Sequence, residues 1–88
     1  MTREEFEDTA RREGYGEPKL VCFDPSSRSE MHQHDEVSFV FVVEGEFILN
    51  TEDGAPRHGP GNTCILPKGV NHAEEVGSDG ATILVARK

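Results

Sequence analysis

The first apolar positions of the chain, Phe6 and Ala10, are four apart in TREEFEDTARREG and are surrounded by charged side chains. That spacing places both on one stripe of a helix. Thr2 is positioned to cap the helix, Glu5 to reach back as its third residue, and Gly14 to end it. The prediction is a short acidic helix whose narrow stripe must lie on another surface, because so short a helix is marginal alone. Its acidic side chains read as solvated.

From Pro18 onward the pattern becomes one of short apolar, β-branched and aromatic runs between turn residues. KLVCF, EMHQH, VSFVFVV, EFILNT, TCIL, AEEV and ATILVARK read as strands. DPSSRS reads as a loop, Gly45 as the hairpin between two strands, and DG, PG and GSDG as further turns. Seven or eight short strands at this spacing predict an all-β fold, a small antiparallel β-barrel or sandwich. The expected organisation is an N-terminal helical segment over 1–17 and one barrel domain over 18–88. Nothing alternates helix with strand, so a nucleotide-binding parallel sheet is excluded.

Within VSFVFVV, Ser38, Val40 and Val42 share one face, and Phe39, Phe41 and Val43 the other. An 88-residue chain has a small core, burying roughly 60–68% of the surface its unfolded form exposes. A partner subunit or a metal is a natural source of added stability. The formal charge of -8, from 17 acidic and 9 basic side chains, repels nucleic acid and anionic membranes. No run of 18 apolar residues and no basic-apolar leader is present, which gives the expectation of a cytoplasmic protein. Cys22 and Cys64 each lie in an apolar stretch and read as buried free thiols.

Four histidines carry the candidate chemistry: His32, His34, His58 and His72. His32 and His34, at i and i+2 of an extended segment, point to the same side. A third imidazole from a neighbouring strand would complete a metal site, and His72, after a Pro/Gly turn, is the best placed. The same spacing suits hydrogen-bonded barrel histidines. His58, in RHGPG, reads as exposed. Glu36 shares parity with the histidine pair if the strand continues, as does Glu30 on the other side. Glu74 shares parity with His72, so it is a candidate acid-base or imidazole-orienting group. Glu75 points away, and Tyr15, Arg28 and Arg57 read as surface or rim residues.

GNTCILPKGVNH, with Gly61, Pro67, Gly69 and His72 at their spacing, resembles the second signature motif of the cupin superfamily; HQH with Gly45 resembles the first. In the first motif a glycine stands six positions before HxH and a glutamate seven before the closing glycine. Here those positions are Ser26 and Ser38, and the terminal asparagine position of the second motif is Val76. The resemblance implies a jelly-roll barrel, a double-stranded β-helix, with His32, His34 and His72 as ligands of a divalent transition metal (iron, nickel, zinc, manganese or copper). The carboxylate does not carry over at Ser38, which leaves Glu36 or Glu30 as substitutes, or three histidines and water. It also implies that Ser38, Val40 and Val42 line the cavity, with the two phenylalanines outside against the helix or a second subunit. A homodimer, the family's habit, is therefore expected. Two functions remain: a metal-dependent dioxygenase or isomerase acting on a small polar or anionic molecule, with Glu74 and Glu36 as candidate catalytic groups, and a non-catalytic small-molecule sensor module, possibly metal-free.

Overall fold

The elements of the computed structural model, which describes residues 1–88, run in the order α1 (Arg3–Arg12), β1 (Lys19–Phe23), β2 (Ser38–Thr51), β3 (Arg57–His58), β4 (Thr63–Leu66) and β5 (His72–Arg87). The helix starts as its sequence dictates. The Glu5 amide donates to Thr2 Oγ1 at 3.1 Å and the Thr2 amide to Glu5 Oε1 at 2.9 Å, a closed capping box. Hydrogen bonds from Thr2 hold the Glu5 carboxyl below its ordinary range. Gly14, at φ +85°, turns the chain out of the helix. No helix is long and apolar enough to cross a membrane.

The strands form one antiparallel sheet in the order β1-β5-β2-β3, with β4 also on β2. Two expected turns are absent. Gly45 is not a hairpin, and GSDG does not separate two strands: β2 runs unbroken for 14 residues and β5 for 16, paired with each other along their length. The physical reason lies at their shared midpoint. The register slips between Val42 and Phe47, where Gly45 pairs with Ala81. Gly45 sits at φ +83°, and a Cβ there would strike the Gly80 carbonyl oxygen. Gly80 sits at φ +79°, where a Cβ would come within 2.7 Å of the Phe23 carbonyl oxygen. Glycine here permits a bulge that bends both strands together, so the fold has five strands instead of seven or eight.

EMHQH is not a regular strand either. It is an extended segment tied to β5 by single bridges, Arg28 to Glu75 and His32 to His72. Between those bridges the segment advances four residues while β5 advances three. One extra residue therefore interrupts the ladder.

The alternation within β2 sorts its side chains into two cores. Val40 and Val42 join Phe47, Leu49, Leu66, Val76, Ala81, Ile83 and Val85 in the inner core. Phe39 and Phe41 lie on the other face with Leu84 and Ala86, beneath Phe6 and Ala10 of α1. The rings of Phe6 and Phe39 are 4.6 Å apart, and Tyr15 adds a further ring 5.3 Å from Phe39. The chain's own helix thus covers the two phenylalanines, one of the covers expected for them. Cys22, against expectation, is exposed, whereas Cys64 is partly buried and burial pushes its thiol up to about 11.

Candidate metal centre

His72 opens β5 directly after the turn that follows β4, and its backbone exchanges hydrogen bonds with that of His32, at 2.8 and 3.0 Å. Gly69 donates its amide to the His34 carbonyl at 3.0 Å, and Gln33, pointing the other way, donates from Nε2 to Asn71 Oδ1 at 2.9 Å. These bonds clamp the two histidine-bearing segments together. Glu74 lies two residues along β5 on the same face as His72, and its amide donates to the Ser29 hydroxyl at 2.9 Å. One ligand-type atom from each of His32, His34, His72 and Glu74 falls within 4.8 Å of the others.

The spacing inside this cluster is informative. Glu74 Oε1 is 3.4 Å from His72 Nε2 and 4.0 Å from His34 Nε2, while Oε2 is 3.8 Å from His32 Nε2. Such distances are long for hydrogen bonds. Ligand bonds of about 2.1 Å to a common ion would separate neighbouring donors by roughly 3.0–3.4 Å, close to the shortest of these. His72 is fully buried, and its Nε2 and that of His34 are buried with no hydrogen-bond partner. An unmet buried nitrogen is costly, on the order of 1–3 kcal/mol, unless something binds it.

The opposite ring nitrogens fix the tautomers. His72 Nδ1 donates to the Val70 carbonyl at 3.0 Å, and His32 Nδ1 to the Glu30 carbonyl at 2.7 Å. Because a carbonyl only accepts, each Nδ1 carries the hydrogen and each neutral ring turns a bare Nε2 lone pair into the cluster. That orientation by a backbone acceptor is the one metal-binding imidazoles use. Desolvation, followed by the charge of Arg87 and the neighbouring rings of His32 and His72, holds His34 below its ordinary value and so favours its neutral form. Geometry, tautomers and donor set all fit a divalent ion.

The other candidates fall elsewhere. Glu36 is exposed, follows the bend at Asp35, and lines a separate cavity with Arg87 and Lys19. It is outside the cluster. Glu30 is exposed and contributes its backbone carbonyl to His32, not its carboxylate. Glu75 is turned away and bound by Arg28 at 3.3 Å and Asn50 at 2.9 Å. His58, expected to be exposed, is half-buried opposite Phe47, with an unpartnered Nε2. Ser38 is 3% exposed and accepts from Arg87 Nε at 3.3 Å. Arg87 escapes a reading of the sequence, since only the register of β5 on β2 places it opposite Ser38.

Residues 19–86 match the family model Cupin_2, cupin domain. No curated protein matches the chain significantly. Among solved structures, a cupin-2 domain protein from Shewanella frigidimarina superposes at TM-score 0.69 with 24% identity, over 78% of this chain and 66% of that one. KdgF from a Halomonas species gives 0.67 and 25%, over 80% and 67%. A variant of the oxalate decarboxylase of Bacillus subtilis gives 0.71 and 21%, over 81% of this chain but 20% of that one. The chain thus spans just under two thirds of the Shewanella protein and a fifth of the decarboxylase.

Proposed function

The chain belongs to the cupin domain family, and from that premise we propose that His32, His34, His72 and Glu74 hold one divalent transition metal that receives a small anionic organic molecule. The observation that carries this reading is the pair of buried, unpartnered Nε2 atoms of His34 and His72, aimed into a cluster that also contains a carboxylate. Three imidazoles and one carboxylate suit iron, nickel, zinc, manganese or copper. The Mn(II) centres of the Bacillus oxalate decarboxylase make manganese a sensible first ion to test.

In this reading Glu74 supplies the carboxylate that Ser38 cannot. A bound divalent ion would act as a Lewis acid toward a coordinated oxygen. One carboxylate against a doubly charged ion leaves the cluster net positive, which favours an anionic ligand. The chain's own contribution is orientation of the rings through the Val70 and Glu30 carbonyls.

A metal-dependent dioxygenase or isomerase is one use of such a centre. A specific observation favours the quieter alternative, a binding or sensing module. Glu74 is the cluster's one carboxylate, and Glu36 stands outside it. Once Glu74 is a ligand, no free carboxyl group remains there for proton transfer.

The test is elemental analysis of untagged protein beside its His32→Ala and His72→Ala variants. About one metal per chain in the parent, with loss in both variants, is the expected result. Equal metal content in all three would remove the reading.

A further inference from the structure

We propose that the cavity beside the histidine cluster holds the hydrocarbon tail of the bound molecule, so that the centre takes a small monocarboxylic acid with an apolar tail and turns away diacids. The inference rests on the metal-binding reading above and names the class of acid.

The register of β2 on β5 joins the two places. Thr51 stands directly opposite His72, and Leu49 directly opposite Glu74. Direct cross-strand partners share a face, with Cβ atoms about 4.5–5.5 Å apart. Leu49 belongs to the inner core, as does Val76, two residues beyond Glu74 on β5. The shared face is therefore the inner one. Beside the cluster on that face, Leu49 and Thr51 line a cavity of about 510 Å³, an ordinary size for a small-molecule site. The turn after β4 makes a second tie. Gly69 and Val70 also line the cavity, and they are the residues that bond the His34 carbonyl and His72 Nδ1.

The lining decides what fits. Leu49 and Leu66 are buried core residues and Val70 packs against that core, which makes one wall apolar. No lysine, arginine or histidine lines the cavity, whereas two exposed carboxylates, Glu52 and Asp53, do. Thr51 spends its hydroxyl hydrogen on the Gly54 carbonyl, and Asn71 holds Gln33 through Oδ1. A hydrocarbon tail gains by leaving water for the apolar wall. A second carboxylate would instead meet like charge with no cation to offset it. The acid's one carboxylate goes to the net positive centre, and its tail to the cavity.

The test titrates acetate, butanoate, hexanoate and adipate into the cobalt(II)-loaded protein. Visible absorption reads cobalt occupancy and calorimetry reads acid binding. Affinity should rise about threefold for each methylene added from acetate to hexanoate. Adipate, of the same carbon count as hexanoate but with a carboxylate at each end, should bind about tenfold more weakly than hexanoate or worse. A double variant, Glu52→Gln with Asp53→Asn, should narrow that gap. Leu49→Phe, which fills part of the cavity, should erase most of the gain from butanoate to hexanoate. Equal affinity for acetate and hexanoate, with cobalt bound, overturns the tail site and leaves the metal centre standing. Adipate bound as tightly as hexanoate overturns the exclusion of diacids. Should Leu49→Phe not fold, the acid series on the parent decides alone. If the parent takes up no cobalt, the metal reading fails by itself, and the same series on metal-free protein decides the tail site, a flat response to chain length overturning it. Failure of every acid to bind overturns it as well.

Discussion

The two faces of the β2–β5 ribbon are built from alternating residues of the same strands, yet they end in opposite states. On the outer face, Phe39 and Phe41 are sealed by Phe6 and Ala10, and the helix that brings them has its N-terminal groups satisfied by the Thr2–Glu5 box. On the inner face an apolar core gives way to His34 and His72, whose Nε2 atoms are buried and unpaired. The outer side is closed over Phe39 and Phe41, whereas the inner side leaves polar atoms unmet. The outer face reads as stability and the inner one as capacity to bind.

The strongest way to break this comparison is Phe6→Ala. Removing a fully buried ring should destabilise the protein by about 3–5 kcal/mol, measured by urea unfolding. Metal content of the molecules still folded should not change. A loss of metal in that folded fraction would show that the faces are not separable.

A metal added at 100 times its Kd should stabilise the parent by about 2.7 kcal/mol and leave His72→Ala unmoved. Thermal unfolding with and without the ion checks this. For the metal-free protein, folded His34 titrates below 6.5, its ordinary value. The unfolded chain therefore takes a proton that the folded one resists, so stability from this group falls as pH drops below about 6.5 and is unaffected above. Urea midpoints across that window give the sign.

Thr2→Ala should cost about 1 kcal/mol through the outer face alone, with metal affinity unchanged in a competition titration. Smallest is the effect of the thiols. Exposed Cys22 should alkylate near neutral pH in folded protein, with Cys64 modified only on unfolding, as mass spectrometry of peptides would report. The raised Cys64 value predicts stability intact below 9.0 and declining as pH rises from there through about 11.

The helix was legible because every signal for it is local: a cap, a four-residue spacing and a closing glycine. The split of β2 into two faces was legible for the same reason, since a period of two needs no partner. Gly45 and Gly80 were misleading because a positive φ serves a bulge as well as a hairpin, and only the pairing partner decides between them. His32, His34 and His72 were found through motif spacing. Glu36 drew attention by extrapolating the parity of the histidine pair, but the chain bends after His34 and parity ends there. Glu74 had the right parity from the start, on β5. Ser26 stands where the first motif has glycine and still adopts φ +57°, so the backbone kept a shape the residue type did not announce.

The crossing of Gly45 over Gly80 also fixes the angle between the two halves of β5. From Gly80, β5 runs eight residues back to His72 and seven forward to Arg87, arms of roughly 23–26 Å at about 3.3 Å per residue. A change of about three degrees at that crossing moves each tip by roughly 1.2–1.4 Å at this arm length, more than half a metal–ligand bond. The position of His72 relative to the inner core thus depends on two glycines that stand apart from the histidine cluster.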